Sequence, residues 1–156
     1  MSELHFTIGL PRCGKSTFCD EWVRIKSSQP RVIVCSDNIR LALHGQRFQP
    51  KAENMVHSIQ EVFIKALLDR GHDVIVDGTH TTLSNITRLS KMCDNIIPHY
   101  IYTDPEECKR RAVNSKQKDL LPIIDAMHNN LLKWNPAPND ILLSYKLIGE
   151  HICQFK

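Results

Sequence analysis

The chain has 156 residues, 42% apolar and 24% charged, the make-up of one globular domain rather than of a disordered, fibrous or membrane-spanning chain. A net charge of +3 is too small to drive bulk association with a polyanion, so any anionic ligand must be held by local clusters. Cys13, Cys19, Cys35, Cys93, Cys108 and Cys153 show neither C-x-x-C pairs nor metal-ligand spacing and read as free thiols, and MSELHF lacks a signal-peptide layout, so a cytoplasmic protein with no membrane partner is expected.

A first strand is expected over 4–8, running straight into a glycine-rich stretch. A helix from Ser16 to Lys26 follows, with Phe18, Trp22 and Ile25 on its buried face, and residues 27–30 (SSQP) break it. Residues 31–35 (RVIVC) form a second strand, followed by a short helix from Asn38 to His44 closed by Gly45. After a polar loop at 46–51, a longer helix spans about 52–70, with Val56, Ile59, Val62, Phe63, Ala66 and Leu67 as its apolar stripe and Gly71 as its stop. The third strand is 73–77 (DVIVD), then a helix over 83–92 and a fourth strand over 96–102. Asp104-Pro105 opens a helix with Glu106 and Glu107 in its first turn, where the helix dipole favours acids. A polar stretch at 114–119 leads to a helix initiated by Pro122 and reaching Trp134, and 140–148 (DILLSYKLI) is the expected fifth strand. Strands alternating with helices imply an α/β fold: a parallel five-stranded sheet flanked by helices, one domain over 1–156.

The stretch after the first strand, GLPRCGKST, is G-x4-G-K-S in a strand–loop–helix setting, the context of a P-loop. Its glycines let successive backbone N–H groups point at an anion, so Gly9, Arg12, Cys13, Gly14, Lys15, Ser16 and Thr17 form the expected triphosphate cradle, with Cys13 a small filler. Lys15 is expected at the β- and γ-phosphates and the Ser16 hydroxyl on Mg²⁺, which makes ATP and Mg²⁺ the implied cofactors.

Ligands of parallel sheets bind beyond the carboxyl ends of the strands, and here each of the first three strands ends in polar residues. Asp77 ends an apolar run as a Walker B carboxylate does and is expected in the Mg²⁺ shell; its competing role is a helix cap or turn. Asp37, after the second strand, suits a general base that takes the proton of an acceptor hydroxyl; its competing role is an N-cap. Arg40, one helical turn on, suits an anion carried by the acceptor, or else a surface ion pair. Residues 109–118 (KRRAVNSKQK) hold five cations and no acid, which suits a lid (about 109–121) that neutralises transferring phosphate, or else a solvated helix face.

With GLPRCGKST, SDNIR and DGTH, the chain resembles the polynucleotide 5′-hydroxyl kinase family of P-loop proteins, in its phage-type kinase domain, over about residues 4–134. The resemblance implies a P-loop NTPase/kinase fold with a helical lid, and transfer of the γ-phosphate of ATP to the 5′-OH of a nucleic acid. It also implies Asp37 as general base, Arg40 at the phosphate beside the acceptor, and Asp77 in a Walker-B-like site supported by Arg88. The family's lid arginine falls on Lys116, which cannot make a bidentate contact, so either Lys116 does a weaker job or Arg110 or Arg111 supplies the charge. His80 stands where the family has asparagine. Two other readings remain: the same chemistry on a nucleoside, sugar, antibiotic or hydroxymethylated base, and an ATP-binding switch with weak hydrolysis.

Overall fold

A computed structural model describes residues 2–134. The elements, in order, are β1 (Leu4–Ile8), α1 (Lys15–Arg24), β2 (Arg31–Cys35), α2 (Ser36–His44), α3 (Glu53–Leu68), β3 (Asp73–Asp77), α4 (Leu83–Ser90), β4 (Ile96–Tyr100), α5 (Pro105–Asn114) and α6 (Leu121–Trp134). Short 3₁₀ turns at Pro50–Ala52 and Lys118–Leu120 lead into α3 and α6. The strands form one parallel sheet in the order β2-β3-β1-β4. The described sheet therefore has four strands rather than the expected five, and the segment expected as the fifth, 140–148, lies outside the described residues.

Alternation along β1 explains the two layers. Leu4, Phe6 and Ile8 join Val74 and Val76 in the larger core, with Val56 and Ile64 of α3, Leu89 of α4 and Ile124 of α6. The opposite face of the sheet meets α1, where Phe18, Cys19 and Trp22 pack on Ile75. That face also carries His5 and His99, buried and stacked with ring centroids 5.1 Å apart. His5 Nδ1 lies 2.9 Å from His99 Nε2, and the pair ends at Glu3, 3.1 Å from His5 Nε2. Burial pushes both imidazoles below their ordinary pKa, His99 to about 3.

Three expectations are corrected. Helix α1 stops at Arg24, so Ile25 is its half-exposed C-cap rather than part of its buried face. Helix α3 buries Val56, Gln60 and Ile64, while Val62 and Phe63 of the expected stripe are 64% and 50% exposed. Helix α2 begins at Ser36, directly after β2, so Asp37 lies inside the first helical turn. Cys13, Cys19, Cys35, Cys93 and Cys108 are free thiols, as expected. Among the described residues no helix is long and apolar enough to cross a membrane.

Candidate active site

The order β2-β3-β1-β4 makes β1 and β3 neighbours whose connections leave in different directions, and such a switch point opens a crevice at the carboxyl ends of the strands. The P-loop leaves β1 there. Gly9 N donates to Thr79 O at 3.0 Å, tying the loop to the exit of β3. A Cβ at Gly9 would stand 2.5 Å from Ile101 O and 2.7 Å from Cys13 Sγ, so the close approach requires glycine. Arg12 (φ 66°) and Gly14 (φ 107°) are left-handed and turn the chain onto α1. No side chain caps α1, which leaves its first amides available to an anion. Lys15, 8% exposed, curls back to donate to Leu10 O at 2.6 Å. Cys13 is buried, and burial raises its thiol pKa, in keeping with a filler.

Ser16 Oγ donates to Asp77 Oδ2 at 2.8 Å, bringing the two expected metal-site residues together. Thr82, not Asp77, is the N-cap of α4, so Asp77 does not play the capping role. Its carboxyl pKa is raised: burial is the largest cause, opposed by Ser16 and Lys15 and reinforced by the charges of Asp37 and Asp20. Asp20 was not singled out from the sequence, although its i+4 spacing from Ser16 on α1 was readable there. Behind Asp77, the Thr7 hydroxyl donates to Gly78 O (2.8 Å) and accepts from Gly78 N (3.1 Å). His80, buried and left-handed (φ 40°), donates from Nδ1 to Thr7 O at 2.7 Å. Its ring lies so close under Gly78 that a Cβ there would be 2.6 Å from His80 Cε1. Burial, with Arg88 and Lys15 nearby, lowers its pKa to about 4, so it is a neutral brace of the loop.

On β2 the register pairs Cys35 with Asp77, which sets Asp37 just past the level of Asp77. The N-cap position of α2 is Cys35, and Asp37 makes no capping bond. Its side chain is 61% exposed and accepts one hydrogen bond, from Arg40 NH1 to Oδ1 at 2.7 Å. Arg40, only 15% exposed, is held chiefly by Glu53: Nε donates to Oε1 at 2.8 Å and NH2 to Oε2 at 2.6 Å. The ion-pair role weighed for Arg40 is thus present, with Glu53 of α3 a partner that local spacing did not reveal. Arg88 points at α3 and not at Asp77. It donates to Glu61 Oε1 and Gln60 Oε1, both at 3.1 Å, and Gln60 in turn donates to Ser36 Oγ at 2.7 Å.

The basic segment sits over the P-loop. Arg12 donates to the Ser115 hydroxyl, and Arg111 NH1 donates to Arg12 O at 3.2 Å. Lys109 is paired with Asp125 (2.6 Å) and Glu106 (2.9 Å), and Glu107 pairs with both Arg110 (2.6 Å) and Arg111 Nε (2.7 Å). Lys116 is left-handed (φ 58°), and the bond from Gln117 N to Ala112 O (2.9 Å) across it makes it the C′ residue closing α5.

Comparison with solved structures finds similarity to a chain of a Pnkp1/Rnl/Hen1 complex, 26% identical with TM-score 0.64, covering 70% of this chain and 38% of that one. Shikimate kinase from Acinetobacter baumannii in complex with shikimate is 16% identical, with TM-score 0.57 and coverages of 95% and 92%. The Mycobacterium tuberculosis APS kinase CysC in complex with AMPPNP and APS is 18% identical, with TM-score 0.57 and coverages of 71% and 68%. The chain spans less than half the length of the repair-complex chains it matches. No curated protein matches the sequence. The α/β sheet with its flanking helices shares its fold with the two kinase structures, and residues 4–122 match the AAA_33 family, an AAA domain: the chain belongs to that family.

Proposed function

We propose that this domain transfers the γ-phosphate of ATP to a hydroxyl, the 5′-OH of DNA or RNA in nucleic-acid end repair. The observation that carries the reading is Asp37: an exposed carboxylate, bonded through one oxygen only, that shares a crevice with the P-loop and Asp77. Its second oxygen is open to the proton of an acceptor hydroxyl, which a protein that only positions water for hydrolysis does not require. Gly9, Arg12, Cys13, Gly14 and Thr17 would line the phosphates, with Lys15 leaving Leu10 O for the β- and γ-oxygens. The residues also fit Mg²⁺: Ser16 would bind it directly and Asp77 through the same hydration shell, since their oxygens are 2.8 Å apart. When bound, the ion neutralises charge on the β- and γ-phosphates. Arg111, already on the P-loop backbone, is the favoured lid cation; Lys116 has its backbone committed to closing α5. The likeness to a chain of a Pnkp1/Rnl/Hen1 RNA repair complex supports a nucleic-acid partner.

A second reading keeps the chemistry and changes the acceptor to a small molecule. It is favoured by the shikimate kinase likeness, which covers nearly all of both chains. The test is transfer of labelled γ-phosphate from ATP with Mg²⁺, offering 5′-OH oligonucleotides beside nucleosides and sugars. Labelled oligonucleotide is expected; label confined to small molecules selects the second reading. Bound ATP with no transfer to any acceptor would leave a nucleotide switch. Asp37→Asn should keep ATP binding and lower kcat by about 10²–10⁴-fold; undiminished turnover would remove Asp37 as the base.

A further inference from the structure

We infer that Glu53 is a positioning residue that selects acceptors carrying an anion next to the reacting hydroxyl, an inference that rests on the proposed phosphoryl transfer to a nucleic-acid 5′-OH. Glu53 lies at the first position of α3, thirteen residues from Arg40, and reaches it because Gly45 (φ 65°) and the turn at Pro50–Ala52 fold the chain back along α2. Arg40 has five N–H donors in a rigid plane. Glu53 takes the Nε and one NH2 proton, and Asp37 takes one NH1 proton, which leaves one N–H on NH1 and one on NH2. Those two nitrogens can offer a fork to an acceptor oxyanion while Asp37 Oδ2 stays open to the hydroxyl.

The division depends on Glu53. A carboxylate pairs best with a guanidinium through two parallel bonds. With Glu53 neutral, the nearest charged partner for the fork is Asp37, three residues away on the same helix face. Arg40 would then pair with both oxygens of Asp37 and close the one that receives the proton. Helix α3 holds Arg88 as well, through Glu61 and Gln60, but those contacts involve neither Asp37 nor Arg40. Loss of a charge on α3 is therefore separable from loss of the Arg40 clamp.

The experiment compares KM and kcat for a nucleoside 3′-monophosphate and for the matching nucleoside, in the wild-type protein, Glu53→Gln and Glu61→Gln. Glu53→Gln is expected to raise KM for the 3′-monophosphate about tenfold or more, the scale of a lost charged hydrogen-bond pair, and to shift KM for the nucleoside much less. Glu61→Gln should leave the ratio of the two KM values at its wild-type figure. An equal change for both acceptors in Glu53→Gln, or the same loss of discrimination in Glu61→Gln, overturns the inference. Should Glu53→Gln lack a cooperative melting transition, Glu53→Asp, which keeps the charge but shortens the reach, is read by the same ratio and is expected to lose part of the preference; an unchanged ratio refutes it. Wild-type protein that phosphorylates no nucleotide or oligonucleotide sinks the nucleic-acid reading and this inference with it, whereas transfer with an unaltered ratio sinks the inference alone.

Discussion

Acidification should destabilise this domain through imidazoles that have no room for a second proton. His80 is 6% exposed and His99 3% exposed, and burial lowers their pKa values to about 4 and about 3, from 6.5. Between pH 6.5 and those values the unfolded chain binds more protons than the folded one. The stability these residues contribute is therefore complete above pH 6.5 and is lost as the pH falls. At about pH 5 an unfolded-state imidazole is stabilised by roughly 2 kcal/mol through protonation that the folded state forgoes, so the two together cost roughly 4 kcal/mol. His5, lowered chiefly by burial, adds to the same trend. Against a domain stability of about 5–15 kcal/mol this is a large loss. Urea unfolding followed by circular dichroism at about pH 7.5 and about pH 5 measures it directly. In His80→Asn, which suits the left-handed backbone and does not titrate, the loss should shrink to roughly 2 kcal/mol. A urea midpoint that does not move between the two pH values, or an Asn variant that loses as much as wild type, refutes the reasoning.

Three further outcomes are expected. Gly9→Ala brings a methyl group to 2.5 Å from a backbone oxygen and should lower stability by about 1–3 kcal/mol and weaken ATP binding; a variant with unchanged melting and ATP affinity would contradict the close approach. Lys116→Gly relieves a left-handed residue and should raise stability by about 1 kcal/mol, whereas Arg111→Gln should cut kcat by about 10²-fold or more; the reverse ranking in kcat would return Lys116 to the phosphates. Because burial raises the Asp77 pKa in the metal-free site, Mg²⁺ should bind more weakly as the pH falls, and Asp77→Asn should bind Mg²⁺ more weakly with a large loss of activity; undiminished Mg²⁺ binding and activity in that variant would exclude Asp77 from the site.

Local pattern alone determined the strands at 4–8, 31–35 and 73–77, because a strand between covering helices must be an apolar run and these runs end in abrupt polar or glycine signals. The P-loop was equally legible, since its glycines answer a local backbone demand and its lysine and serine follow at fixed spacing. Legibility failed where partners are remote in sequence. The buried face of α3 was misjudged because Gln60, polar and so passed over, is buried to join Ser36 and Arg88 from two other helices, while Val62 and Phe63 face outward. Arg40 was legible as sharing a helix face with its i+3 neighbour Asp37, but Glu53 becomes its main partner only when α2 and α3 fold side by side. The lid segment read as five cations, with Lys116 in the place of the family's arginine and Arg110 or Arg111 as substitutes. Asp125 on α6 claims Lys109, while the P-loop backbone receives Arg111, and so folding separates them. His80 looked like a departure from a motif and is a brace, through a hydrogen bond that spans 73 positions. Sequence spacing encodes what a residue does to its own turn or strand; which charges are neutralised and which oxygen stays open is decided only when distant elements pack.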